Sequence, residues 1–156
     1  MDDIVIRKAT AEDIDQIFTL VNSNANQGLM LSRSKYRICS VLANFLVATN
    51  PAGELIGCGS LIPLWVDLAE IVSLAVRADL RGKGVGRILV QRLVEESRQL
   101  KINTVMALTY QVEFFSKLGY SVANKDEFPR KVWRECLECP KLEQCDETAM
   151  KLELAK

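Results

Sequence analysis

The hexapeptide Arg81-Gly82-Lys83-Gly84-Val85-Gly86 constrains the fold of this chain more than any other stretch. An apolar run, residues 69–76, precedes it. After it, Ile88, Leu89, Leu93, Val94 and Leu100 recur at helical spacing. The pattern predicts a buried strand, a tight turn and an amphipathic helix, in that order. A helix start leaves several backbone N–H groups without internal partners, and the helix dipole adds positive potential there. Glycine lets the chain turn sharply and lets an anion reach the backbone without meeting a Cβ. Arg81, Lys83 and Arg87 add positive charge beside those amides, so the turn suits a pyrophosphate. Other phosphate motifs fit badly. A P-loop needs Gly-Lys-Ser/Thr after a first glycine and four spacers, and no such run occurs. A dinucleotide fingerprint reads Gly-x-Gly-x-x-Gly, whereas this turn reads Gly-x-Gly-x-Gly. The plain alternative is a tight turn with solvated basic residues.

The flanking sequence predicts a mixed α/β order. Residues 5–7 are a short strand, and Thr10 with Asp13 three residues on marks a helix start. Ile14, Ile17, Leu20 and Val21 follow with helical spacing, and the Asn-rich residues 22–28 read as a loop. Ser32 or Ser34 caps a second helix bearing Tyr36, Ile38, Val41 and Leu42. Residues 45–49 and 55–64 form a hairpin about Asn50-Pro51-Ala52-Gly53. Residues 69–76 have almost no exposed-looking side and are expected to be covered on both faces. Residues 104–108 are the next strand, residues 112–118 a short helix stopped by Gly119, and residues 120–123 pair with residues 149–154.

The 156 residues suit one domain spanning 1–156. Lys plus Arg equals Asp plus Glu, 20 each, which gives no reason to expect nucleic acid as a partner. No apolar run is long enough for a bilayer, and the start is acidic where a secretory signal would be basic, so a cytoplasmic protein is expected. Histidine is absent, so proton transfer falls to carboxylate, Tyr, Cys, Lys or water. Cys136, Cys139 and Cys145 are spaced Cys-x-x-Cys-x5-Cys, one ligand short of a structural zinc site; three reduced thiols or a redox pair are the alternatives, and catalysis needs no metal. Cys39 and Cys58 read as core residues.

With these motifs in place, the chain resembles the GCN5-related N-acetyltransferase (GNAT) family. Arg81, Gly84 and Gly86 match its Arg/Gln-x-x-Gly-x-Gly/Ala cofactor motif, the run 69–76 its fourth strand, and Phe114-Phe115-Ser116-Lys117-Leu118-Gly119-Tyr120 its aromatic-x-x-Leu-Gly-aromatic segment. The resemblance implies a mixed, mostly antiparallel sheet flanked by helices, with a V-shaped split between the fourth and fifth strands. Within the family, Gln27-Gly28-Leu29-Met30-Leu31-Ser32-Arg33-Ser34 and the segments around Asp67-Leu68-Ala69-Glu70, Ala107-Leu108-Thr109-Tyr110 and Lys131-Val132-Trp133-Arg134-Glu135-Cys136 are similar to short, stand-alone N-acetylglutamate synthases. That implies transfer of acetyl from acetyl-CoA to the α-amino group of L-glutamate, at the entry to arginine biosynthesis.

The resemblance also implies roles. The amides of Arg81, Gly82, Lys83, Gly84, Val85, Gly86 and Arg87 hold the CoA pyrophosphate, and the backbone of Leu74, Ala75 and Val76 holds the pantetheine arm and polarises the acetyl carbonyl. Glu70 matches the general base, and an apolar setting among Leu68, Ile71 and Val72 would raise its pKa toward neutrality. The family's tyrosine acid falls on Phe115, which has no proton, so Tyr110 or solvent is left to protonate the thiolate. Arg33 matches the arginine that contacts the substrate carboxylate, and Lys131 and Arg134, with Arg130, offer a second basic cluster. Open alternatives are another amine (protein, polyamine or other metabolite) or a non-catalytic CoA-binding regulatory module. A homodimer through a sheet edge or the C-terminal tract is compatible with the chain.

Overall fold

The five residues of β2 (Phe45–Thr49) are all buried, because helices cover both faces of the sheet there. Phe45 and Val47 pack with Ile17 and Val21 of α1 (Ile14–Asn26) and Ile38 of α2 (Lys35–Ser40). Leu46 and Ala48 point the other way, into the core formed with Leu89 and Leu93 of α3 (Val85–Gln99). Strand alternation sends one pentapeptide into two cores. This computed structural model describes residues 3–124 and 147–154.

Strands β1 (Val5–Lys8), β3 (Leu55–Trp65), β4 (Leu68–Val76), β5 (Thr104–Thr109), β6 (Ser121–Val122) and β7 (Thr148–Glu153) complete a sheet ordered β1-β2-β3-β4-β5-β7-β6. Every neighbouring pair is antiparallel except β4 with β5, which is parallel. That pairing runs only from Leu68 opposite Thr104 to Glu70 opposite Met106. Beyond Glu70 the two strands part, which gives the V-shaped opening expected of the fold. A Cβ on Gly57 would sit 3.0 Å from Leu89 Cδ1 and Val85 Cγ1, so glycine lets α3 lie close on β3. No helix among the described residues is long and apolar enough to cross a membrane.

Most expected elements are present, and the departures have physical causes. The Asn-rich stretch is not a loop: α1 continues to Asn26. Asn22 Nδ2 donates to Phe18 O at 2.9 Å, one turn back, and Asn24 is buried by bonds to the sheet side, so these side chains join the helix instead of breaking it. Ser34, not Ser32, caps α2, its Oγ accepting from Arg37 N at 3.1 Å. Cys58 is buried as expected, but Cys39 is exposed, because α2 is a single short helix with one side on the core. The strand β4 is not covered on both faces throughout: Ala69 and Ile71 enter the α3 core, while Glu70, Val72, Ser73 and Leu74 line a cavity.

Candidate active site

Two cavities meet at the mouth of the β4–β5 split. The first lies over the glycine turn and is lined by Arg81, Gly82, Gly84, Gly86 and Arg87, with Leu74, Ala75 and Val76 as its strand wall. Gly84 caps α3 at φ 94°, a left-handed conformation that favours glycine, and Gly82 has φ 77°. A Cβ built on either would meet nothing within 4 Å, so the space over this backbone is open. Ile88 N donates to Gly84 O at 3.1 Å, which makes it the first amide bonded within the helix; the N–H groups of the turn before it precede the helical ladder. Val85 itself is buried in the α3 core, so it can offer the cavity only its backbone, and Lys83 is exposed beside the turn. Arg81, Arg87 and Lys117 give this cavity a cationic rim suited to a diphosphate.

The second cavity lies within the split. Its charged lining residues are Glu70, Glu147 and Arg33. Glu70 stands where β4 and β5 part, opposite Ile62 on β3 and Met106 on β5. Arg33 is brought there by a backbone clamp: Asn22 Oδ1 accepts from Arg33 N at 3.2 Å, and Asn22 Nδ2 donates to Arg33 O at 2.9 Å. Leu29, Met30, Leu74, Gln111 and Phe114 line both cavities, so a group bound over the turn has direct access to the split.

The strand wall between the cavities is bulged. The register steps from Cys58 opposite Ala75 to Ser60 opposite Val72, so Ser73 and Leu74 together face Gly59. Ser73 has φ 56°, a left-handed conformation that costs a non-glycine residue about 1–2 kcal/mol. Strain of this kind persists where the surroundings over-determine it, commonly at functional sites. Here two buried side chains supply the constraint: Ser60 Oγ donates to Val72 O at 3.1 Å, and Cys58 Sγ to Ser73 O at 3.5 Å. Burial pushes the Cys58 thiol up to about 12, against a weaker opposing effect of the Ala75 N–H.

The structure brings Glu70, Arg33, Leu74, Ala75, Val76 and the glycine turn to one place. Thr109 and Gln111 line the inner cavity, whereas Tyr110 between them is half-buried and is not among the lining residues. Phe115 is buried and packs edge-on against Phe114 and Tyr120, with ring centroids 5.1 and 5.0 Å away. The Tyr120 hydroxyl is buried without a hydrogen-bond partner among the described residues, and burial raises its pKa. Arg130, Lys131, Arg134, Cys136, Cys139 and Cys145 lie outside the described residues. Sequence reasoning missed Asn24, Gln27, Gln111 and Glu147. Asn24 and Gln27 each accept from Arg81, at 2.6 and 2.9 Å. Helical spacing could have put Asn24 one turn after Leu20, on the buried side of α1; nothing local marks Glu147, which arrives through the long connection to β7.

An uncharacterized N-acetyltransferase of Chlorobaculum tepidum is 39% identical over 148 residues, 95% of each chain. An amino-acid acetyltransferase of Mycobacterium tuberculosis is 34% identical over 119 residues, covering 75% of this chain and 68% of that one. An N-acetylglutamate synthase from Neisseria gonorrhoeae, solved with coenzyme A and N-acetyl-glutamate, superimposes with a TM-score of 0.88 at 25% identity, over 98% of this chain but 35% of that one. The model of the acetyltransferase (GNAT) family matches residues 11–120, from the start of the first helical segment through the aromatic segment after α4 (Val112–Lys117), and with the split sheet and glycine turn this makes the chain a member of that family.

Proposed function

We propose that this N-acetyltransferase moves the acetyl group of acetyl-CoA onto the α-amino group of L-glutamate, giving N-acetylglutamate for arginine biosynthesis. One observation carries the choice of acceptor: the inner cavity holds carboxylates, Glu70 and Glu147, together with Arg33, and opens onto the cationic cavity over the glycine turn. An amino acid is a zwitterion that needs a partner of each sign, whereas a polyamine has no carboxylate for an arginine to receive. The names of the amino-acid acetyltransferase and N-acetylglutamate synthase relatives support the same acceptor. A cytoplasmic setting suits a reaction that draws on acetyl-CoA and a free amino acid.

The chain's own groups supply each step. The amides and glycines of residues 81–87 receive the diphosphate, while Arg87 and Lys117 screen its charge. Arg33 receives a carboxylate of the acceptor, with Lys131 and Arg134 as further carboxylate partners. Glu70 takes a proton from the ammonium, directly or through water, because only the neutral amine attacks. The backbone from Leu74 to Val76 holds the pantetheine arm, and the Leu74 N–H of the bulged strand stabilises the oxyanion that develops on the acetyl carbonyl as the C–N bond forms. When the C–S bond breaks, the thiolate takes a proton from Tyr110 or from solvent, since Phe115 has none to give.

The test is thiol release from acetyl-CoA in the presence of a panel: glutamate, aspartate, glutamine, arginine, spermidine and a lysine peptide. Release is expected with glutamate above all others. Release with spermidine or the peptide alone would reject an amino-acid acceptor. Tight CoA binding with no release in any arm would make the protein a CoA-responsive module.

A further inference from the structure

We propose that Ser60 and Cys58 are positioning residues for the reacting acetyl group, acting from β3 through the bulge of β4. The inference rests on the acetyl-transfer reading above and adds two residues that line neither cavity. Both are fully buried, at 0% exposure, so neither can touch a substrate. They are two apart on one strand and therefore share a face of the sheet. Their donors go to consecutive carbonyls, Val72 O and Ser73 O.

That arrangement fixes a direction. In a regular strand, consecutive carbonyls point to opposite edges. Here two in a row accept from β3, and the extra residue of the bulge and the φ of 56° at Ser73 make this turn. Within a planar peptide the N–H points opposite to the C=O. The amides of Ser73 and Leu74 therefore both turn away from β3, toward the gap left where β5 departs after Met106. Both residues line the inner cavity, and Leu74 lines the outer one too. A carbonyl lying where the two cavities meet faces these donors. Gly59, opposite the bulge, leaves no slack: a Cβ there would come within 3.1 Å of Leu74 Cδ1 and 3.2 Å of Leu93 Cδ1. Ser60 and Cys58 thus hold the donor pair in its strained geometry before substrate arrives, which is the condition for transition-state stabilisation without reorganisation.

The experiment compares Ser60→Ala, Ser60→Cys and Cys58→Ser with the parent protein. Loss of the Ser60 donor should lower kcat about tenfold or more while KM for the acceptor and Kd for free CoA stay within about twofold. Ser60→Cys, which keeps a weak donor of similar size, should restore part of kcat, and Cys58→Ser should retain it. An unchanged kcat in folded Ser60→Ala overturns the proposal. Should Ser60→Ala fail to fold, amide NMR on the parent and Ser60→Cys decides: acetyl-CoA, unlike free CoA, must shift the Ser73 and Leu74 amides in the parent and shift them less in Ser60→Cys. Identical shifts with both ligands overturn it as well. The kcat arm uses whichever amine the panel identifies, and the amide arm needs none, so a wrong acceptor and a wrong role for Ser60 give different results.

Discussion

Arg81 Nη2 donates to Asn24 Oδ1 at 2.6 Å, and this bond ties the glycine turn to the last turn of α1. Asn24 is buried, and its Nδ2 faces Val76 O at 3.4 Å, so one side chain spans the helix, the turn and the end of β4. Two residues after Asn26 the chain enters the loop whose Leu29 and Met30 line both cavities. Among the described residues, Asn24→Ala leaves the Arg81 guanidinium with Gln27 alone and uncouples the two segments. A hydrogen bond to a charged group contributes about 1.5–3 kcal/mol. KM for acetyl-CoA and for the acceptor should therefore both rise by roughly tenfold or more. Steady-state kinetics with each substrate varied in turn reads this, and a rise in only one constant would refute the coupling.

Glu70→Gln removes the carboxylate at the point where β4 and β5 part and keeps its shape. Affinity for CoA should be unchanged by calorimetry, since the residue lines only the inner cavity. The rate of acetyl transfer near neutrality should drop about 10²–10⁴-fold, the usual worth of a positioned base. The variant should also recover as pH rises and the free amine becomes abundant. A variant whose rate matches the parent at every pH would dismiss Glu70 as the base.

Fold and glycine turn were legible in the sequence for a common reason: both are local. The β-like run of residues 45–49, the apolar spacing after Gly86 and the glycines themselves act over a few residues, and the structure reproduces each. The inner cavity was legible only where a motif carried it, at Arg33 and Glu70. Asn22 and Asn24 were misread because asparagine favours loops when its side chain competes with the helix; here tertiary partners, Arg33 backbone and Arg81, decide instead. Beyond the burial expected of Cys58, the places of Ser60, Cys58 and Glu147 leave no local trace. Their placement depends on register between strands and on a long connection, which no window of one strand contains.

Arg33→Ala keeps the backbone bonds by which Asn22 fixes this loop, because they use N and O of residue 33. The expected effect is thus selective: KM for glutamate rises about 10- to 100-fold, and KM for acetyl-CoA moves little. Arg33→Lys should recover only part of the loss, since a point charge replaces a planar pair of donors. An equal rise in both constants would mean that the loop had collapsed rather than lost a carboxylate partner.

The fold should also have an acid limit, set at the β1 edge of the sheet, away from the split. Arg7, on the edge strand β1, donates to both oxygens of Asp13, at 2.8 and 2.9 Å, and Thr10 N donates to Asp13 Oδ2 at 2.7 Å. Asp13 is buried and Arg7 is partly exposed. The Arg7 hydrogen bonds, more than any other influence, hold the Asp13 carboxyl below its ordinary value of 3.8, and desolvation opposes them. A carboxyl more acidic folded than unfolded contributes stability that is complete above the unfolded value and is lost as pH falls through the folded one. Asp13→Asn abolishes this contribution at all pH values. The melting temperature of the variant should lie a few degrees below the parent near neutrality, for a difference of about 1–2 kcal/mol, kept small because solvent screens the exposed guanidinium. That gap should hold down to about pH 5 and then narrow as pH falls through 3.8 toward the lower folded value, because the unfolded chain takes up the proton first. Thermal melts of both proteins across this range read the effect directly, and a gap that stays constant to about pH 3 would show that the charge on Asp13 does not hold β1 to the helix start.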